Sequence, residues 1–364
     1  MTDVLRPASV ENPHIVDLFA GPGGLDVAAT WLGVPTVGIE WDVNACATRH
    51  AAGLETLQSD VRAFGPDDFP EANVLAGGPP CQTYTVAGTG AGRVALERVL
   101  GLVKSMSVGE HVDDQLARFD DERTGLVLEP LRWALQAHRA GKPYEAIVLE
   151  QVPAVLPVWV AMGEVLEGLG YSVAIGVLRT EEFGVPQTRR RAILLAGYGR
   201  DVRLPEPTHR PYRKGVAREV GCADLKPWNT MGDALSGTRK YGFSVVSNYG
   251  TGGDPKARGR RTSAEPAFTV TGKVSRNRVV DARGAEVDRF TAAEAGRLQT
   301  FPADFPWSGG DVAQQIGNAI PPRLGVHILA SALGLLYKVD EAFLRSVVQA
   351  RWSNSTLPRA AVGR

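Results

Sequence analysis

A thiol ends a rigid turn in this chain, in the stretch Ala76-Gly77-Gly78-Pro79-Pro80-Cys81-Gln82. Consecutive prolines fix φ at about −65° and remove two backbone donors, so Cys81 leaves the turn on a stiff backbone, as a nucleophile requires. Asn73 to Ala76 reads as a short buried strand, which sets Cys81 beyond the carboxyl end of a sheet strand, where open α/β sheets bind ligands. A buried structural cysteine is the competing reading, since free cysteines are mostly small core residues. Glu150 closes a second apolar run, Ala146 to Leu149. Partial desolvation there raises a carboxyl's pKa and favours a neutral acid able to donate a proton. Arg189, Arg190 and Arg191 precede a third apolar run. Alternate arginines of an extended stretch point to one face and suit an anion or a carbonyl, although surface charge explains them as well.

A different chemistry is written near the N-terminus. His14 to Phe19 is an apolar strand, followed by Ala20-Gly21-Pro22-Gly23-Gly24 and an apolar-periodic run from Leu25 to Leu32. Strand, glycine turn and helix let backbone approach a ligand and aim unpaired N–H groups at it. The glycine spacing is not the dinucleotide fingerprint. The next strand ends in Glu40-Trp41-Asp42, 19 positions after Gly21, where Glu40 is placed to accept from both hydroxyls of a ribose. Trp41 is suited to stack on an adenine, and Asp60, in Ser59-Asp60-Val61, to accept from its amino group. Each acid alone is more often a solvated loop residue. Together they predict a pocket for an adenosyl ligand without phosphates rather than for NAD.

The elements that must position these groups follow from pattern. Seven apolar strands alternate with helices before residue 200, which predicts a parallel, doubly wound α/β sheet. Gln82 to Asp121 is polar and glycine-rich, with Arg93 to Lys104 able to form a helix, and reads as a lid beside the thiol. Past Arg200 the texture turns loop-rich, with Ala267–Thr271 and Arg278–Val280 as β pieces. Apolar periodicity resumes at Thr291, whose spacing to Glu294 forms a capping box, and a last helix is expected over Arg323 to Lys338. The division expected is therefore 1–199 for catalysis and cofactor, 200–288 for a second domain, 289–340 returning to the first, and 341–364 as a tail, disordered from Trp352.

Composition bounds the rest. The 364 residues are 44% hydrophobic and 22% charged, with Cys46, Cys81 and Cys222 the three cysteines. Neither a disulfide framework nor a metal site is supported, and no apolar run spans a bilayer. A cytoplasmic, monomeric protein without a metal is expected. The net charge is zero, yet Arg200 to Ala285 holds 17 Lys and Arg against 8 Asp and Glu. One basic segment is the footprint of phosphate contacts.

In order along the chain, the blocks DLFAGPGG, GGPPCQ, LEQV, QTRRR, RLQTFP and QIGNAIPP resemble those of the cytosine-C5 DNA methyltransferase family, over Asp17 to Gly325. The resemblance implies a Rossmann-like domain that binds S-adenosyl-L-methionine, with residues 200–288 as a target-recognition domain for duplex DNA. It implies that Cys81 adds to cytosine C6, that Glu150 bonds N3, that Arg191 holds O2, and that Arg189 organises the nucleophile loop. By motif, Phe19, Ala20, Gly21, Gly23, Gly24 and Leu25 would line the cofactor site. Glu40, Trp41, Asp60 and Val61 would join them, as would Gly78, Pro80, Leu126, Asn318 and Ala319. Arg258, Arg260, Arg261, Arg276 and Arg278 are the candidates for DNA contact. The family's Glu-Asn-Val is Glu150-Gln151-Val152 here. Two further readings are an RNA cytosine methyltransferase and a catalytically impaired DNA-binding protein.

Overall fold

The structure, a computed structural model, describes residues 9–80, 90–239, 242–248 and 258–354. Its main sheet is built from β1 (Ile15–Leu18), β2 (Thr36–Glu40), β3 (Thr56–Gln58), β4 (Val74–Gly77), β5 (Ala146–Gln151), β6 (Tyr171–Arg179) and β7 (Arg190–Tyr198), in the order β3-β2-β1-β4-β5-β7-β6. Between them run α1 (Gly24–Leu32), α2 (Val43–Ala51), α3 (Gly90–Ser107), the one-turn α4 (Asp113–Leu116), α5 (Glu129–Arg139) and α6 (Leu156–Gly168). The central strands are apolar on both faces because both are covered. Along β5, Ala146 and Val148 enter one core cluster while Ile147 and Leu149 enter the other.

The expectation of a parallel sheet holds for every pairing but those of β7, which is antiparallel to both β5 and β6. No α-helix separates β6 from β7. Only a 3₁₀ turn at Thr180–Phe183 and an extended stretch do so, too short for the crossover a parallel pair needs.

Further on lie α7 (Met231–Leu235), β8 (Ser244–Val246), β9 (Arg260–Thr262), β10 (Arg278–Val280) and β11 (Glu286–Val287), with a second sheet in the order β11-β10-β8-β9. Ala267 to Thr271 is not a strand, making only a bridge from Ala267 to Gln187. Then come α8 (Ala292–Leu298), α9 (Val312–Asn318), α10 (Pro322–Leu333) and α11 (Glu341–Gln349). The capping box forms, with Thr291 Oγ1 accepting from Glu294 N. All twelve residues of α10 are buried, the polar Arg323, His327 and Ser331 among them.

Two segments differ from expectation in their order. In α3 the side chains of Val99, Leu102, Val103 and Met106 are buried in the core with Trp159 and Met162 of α6, so this part of the expected lid is fixed. Residues 341–354 are also folded rather than a loose tail. Glu341 pairs with buried Arg323 at 2.5 Å, and the Trp352 indole donates to Ala52 O at 3.0 Å within an aromatic cluster with Phe305.

Candidate active site

Strand order reverses between β1 and β4, and the crevice at their carboxyl ends is the position where a doubly wound sheet takes a ligand. A cleft of about 780 Å³ opens there. One wall is the glycine turn, whose chirality the sequence dictates. Gly21 and Gly23 take φ of 55° and 100°, and Phe19 is held at 61°, uncommon for a residue with a Cβ. The turn is locked to β2 by Glu40, whose two carboxylate oxygens accept from Gly21 N and Asp42 N, each at 2.7 Å. Burial raises the Glu40 carboxyl, and these two backbone donors oppose it. Beside it Trp41 is 68% exposed, a large aromatic left free at a cleft rim. The residues fit an adenosyl group on these grounds: a fixed acceptor at the strand end, an open ring face next to it, and Asp60 across from them. Burial raises the Asp60 carboxyl, but the Arg62 guanidinium, at 2.9 and 2.6 Å, brings it below its usual range.

The same cleft contains the candidate catalytic groups. Glu150, the last residue but one of β5, lies beside Gly78, where a Cβ would lie 3.7 Å from its Oε2. Its Oε1 pairs with Arg191 Nε at the start of β7, a pairing that the antiparallel β5–β7 register makes possible. Burial pushes the Glu150 carboxyl up, and Arg191 holds it back. Gln151, where the family has asparagine, is tied at both ends of its amide. Its Nε2 donates to Pro79 O at 2.6 Å, while its Oε1 accepts from Val152 N at 2.6 Å. The longer amide thus grips the Pro-Pro turn and is braced by its own backbone. Pro80 lines the cleft, and Cys81, the next residue, lies outside the described residues.

Phe19, Ala20, Gly21, Gly24 and Leu25 line this cleft, as do Val61, Gly78, Leu126, Asn318 and Ala319. Two expected residues do not. Gly23 turns its α-carbon to the core, where a Cβ would meet Leu54 Cδ1 at 2.3 Å, so its contribution is the backbone turn. Arg189 is 2% exposed and donates to Val270 O and Gly317 O, both at 2.9 Å, joining the second sheet's loops to α9 instead of facing the cleft. Asp17 and Gln314 line the cleft without having been singled out. An acid in the buried run Ile15–Leu18 was the available signal for Asp17; burial raises its carboxyl well above the ordinary range.

The C-5 cytosine-specific DNA methylase family matches residues 14–102 and 115–333. The chain belongs to that family. It transfers a methyl group from S-adenosyl-L-methionine to C5 of cytosine in DNA. Among curated relatives, the Type II methyltransferase M.NgoFVII of Neisseria gonorrhoeae is 28% identical over 90% of this chain and 88% of its own. M1.HphI of Haemophilus parahaemolyticus is 26% identical over 87% and 86%. The fold is similar to that of the Dnmt2 methyltransferase of S. pombe, with a TM-score of 0.57 at 16% identity over 89% of this chain and 99% of that one. No described helix is long and apolar enough to cross a membrane.

The methylase's candidate DNA-contact arginines sit on its second sheet, away from the cleft, and the structure separates them. Arg278, Val246 and Arg260 lie in register across β10, β8 and β9, so both arginines share one face, about 10 Å apart at the backbone. Both are exposed, Arg278 in an ion pair with Glu286 at 3.0 Å, and Arg276 is exposed just before β10. Arg258 is half-buried two residues before β9. Arg261 is placed otherwise than expected. It falls in the next row, with Val245 and buried Val279, on the inner face. There its guanidinium lies between the rings of Tyr212 and Phe268 and donates to Pro266 O, Ala267 O and Thr188 Oγ1.

Proposed function

We propose that the enzyme methylates cytosine within a short sequence of duplex DNA, with residues 200–288 as the recognition domain and Cys81 as a transient covalent catalyst. Cytosine C5 is a weak nucleophile. Addition of the Cys81 thiolate to C6 forms an S–C6 bond and moves the C5–C6 π electrons toward C5, while Glu150 bonds N3 and Arg191 holds O2. S-adenosyl-L-methionine supplies an electrophilic methyl group on a sulfonium. Once C5 has taken that methyl group, loss of the C5 proton to solvent re-forms the C5–C6 double bond as the Cys81 sulfur leaves as thiolate. None of these groups reaches a stacked base, so the cytosine must leave the duplex. Glu40, Trp41, Asp60 and Asn318 would hold the adenosyl and methionine parts.

The observation that carries this reading is the meeting of Glu150 and Arg191 in the same cleft as Glu40 and Trp41, at the point where Gly78 and Pro80 lead the chain to Cys81. The Type II names of the relatives favour a partner restriction enzyme. The test is transfer of labelled methyl groups into random-sequence duplex DNA, with the modified positions mapped by sequencing. Modification in a short motif, lost in Cys81→Ser, is expected; modification of RNA alone would overturn the proposal.

A further inference from the structure

Beneath the cofactor cleft lies an ion pair that lines no part of it. Arg49 of α2 is fully buried, as is Asp26 in the first turn of α1, and the two meet through paired bonds of 2.8 and 2.7 Å. The same guanidinium donates to Glu55 O and Thr56 Oγ1, each at 3.0 Å. One side chain therefore binds the helix after the glycine turn to the start of β3. It also presses on β2. A Cβ at Gly38 would lie 2.0 Å from Arg49 Nη2, and Gly38 stands two residues before Glu40. The glycine turn and the end of β2 are the two parts that Glu40 spans with its bonds to Gly21 and Asp42.

A buried pair of this kind has no need to be ionic for the sake of stability, since an apolar pair of similar volume packs as well or better. The charge finds its use in the neighbours. Arg49 is the cation among Asp17, Asp26 and Glu40, and two of those acids, Asp17 and Glu40, line the cleft. Burial raises both carboxyls, and Arg49 opposes the shift in each. Without it, both cleft acids would more readily take up a proton, and Glu40 would lose acceptor strength toward a ribose.

We propose that Arg49 is a positioning residue for the cofactor, which with Asp26 fixes the glycine turn and holds Glu40 in place to receive the adenosyl ribose. The proposal rests on S-adenosyl-L-methionine as cofactor and concerns this chain's own support for it.

The test compares the parent, Arg49→Lys and the double variant Asp26→Leu/Arg49→Met. Calorimetry gives the Kd of S-adenosylhomocysteine, thermal melting gives Tm, and steady-state kinetics separate KM from kcat. The expected result is a double variant that melts near the parent yet binds the ligand about tenfold more weakly, one hydrogen bond's worth, with KM raised and kcat little changed. Arg49→Lys, which keeps the charge without the fork, should fall between the two. A folded double variant with the parent's Kd overturns the proposal. If the double variant does not fold, Arg49→Lys decides: weaker binding at a parental Tm supports positioning, and unchanged binding overturns it. Failure of the parent to bind S-adenosylhomocysteine would strike the cofactor assignment instead.

Discussion

The two working regions of this enzyme are built by different rules. In the cleft, the groups at the ends of β1, β2, β4 and β5 lie within a few residues of the strand that carries them, and all but Gly23 face the same space. On the second sheet, neighbours in sequence go opposite ways. Arg260 points out with Arg278, while Arg261 turns inward to Tyr212 and Phe268. A strand end in a doubly wound sheet has one destination, the crevice, whatever the rest of the chain does. The destination of a residue within a strand depends on pleat parity and on register with distant partners.

The sharpest test of that contrast is at the cleft. Glu150→Gln should lower the rate of methyl transfer about 10³-fold, as loss of a positioned acid does, while the Kd for S-adenosylhomocysteine stays within about twofold. A comparable loss of cofactor binding would show that the two ends of the cleft are not separable. Gln151→Leu removes the grip on Pro79 O and should cost roughly 10²-fold in kcat by letting the Pro-Cys turn drift, with Gln151→Asn tested for partial rescue. An unchanged kcat in Gln151→Leu would mean that the two prolines alone fix the turn.

The second sheet, proposed to meet DNA, should respond differently on its two faces. Arg260→Ala and Arg278→Ala are expected to weaken DNA binding by about 1–3 kcal/mol each where the side chain reads a base, seen as relaxed preference in a competition assay, or to reduce the salt slope by about one where it meets a phosphate. Arg261→Ala should act on folding instead. It leaves the Pro266 carbonyl without its donor, takes from the Ala267 carbonyl a donor it shares with Thr188 N, and should destabilise the protein by about 2–4 kcal/mol, with sequence preference retained in the folded fraction. A specificity change without a fall in Tm would reverse the assignment of the two faces.

The smallest effect is expected where the linker after β7 meets α10 and α11. Burial first and Arg323 second press the His209 imidazole down to about 4, with His327 behaving alike at about 3. The unfolded chain protonates histidine near 6.5, so it binds protons between there and pH 4 that the folded state refuses. Stability from His209 is therefore complete above about pH 6.5 and declines as the pH falls through that window. Measured against His209→Gln, the parent should lose roughly 5 °C of relative Tm between pH 7 and 4.5. A flat difference would place the proton elsewhere in the cluster.

Much of the cleft was legible in the chain because its signals are local. The glycine turn, the acid ending β2, Glu150 closing an apolar run and the Thr291–Glu294 box each need only a few adjacent residues. What was missed needed a partner far along the chain. Arg189 read as part of an arginine run until the carbonyls of Val270 and Gly317, 81 and 128 residues away, claimed it. Residues 341–354 read as a tail because Arg323, Asp304 and Ala52, which hold them, are distant in sequence. Reversal of β7 was hidden in a connection whose length alone gives the direction.

By itself, then, the sequence determined the reaction class and the set of strand ends that face the cleft, because apolar period, glycine placement and motif spacing act over a few residues. Tertiary structure alone decided which arginines of the second sheet face outward, that Gln151 reaches Pro79, and that Arg49 lies under the glycine turn. Those outcomes depend on register and on which buried donors find an acceptor, and a buried polar group must find one wherever in the chain it lies.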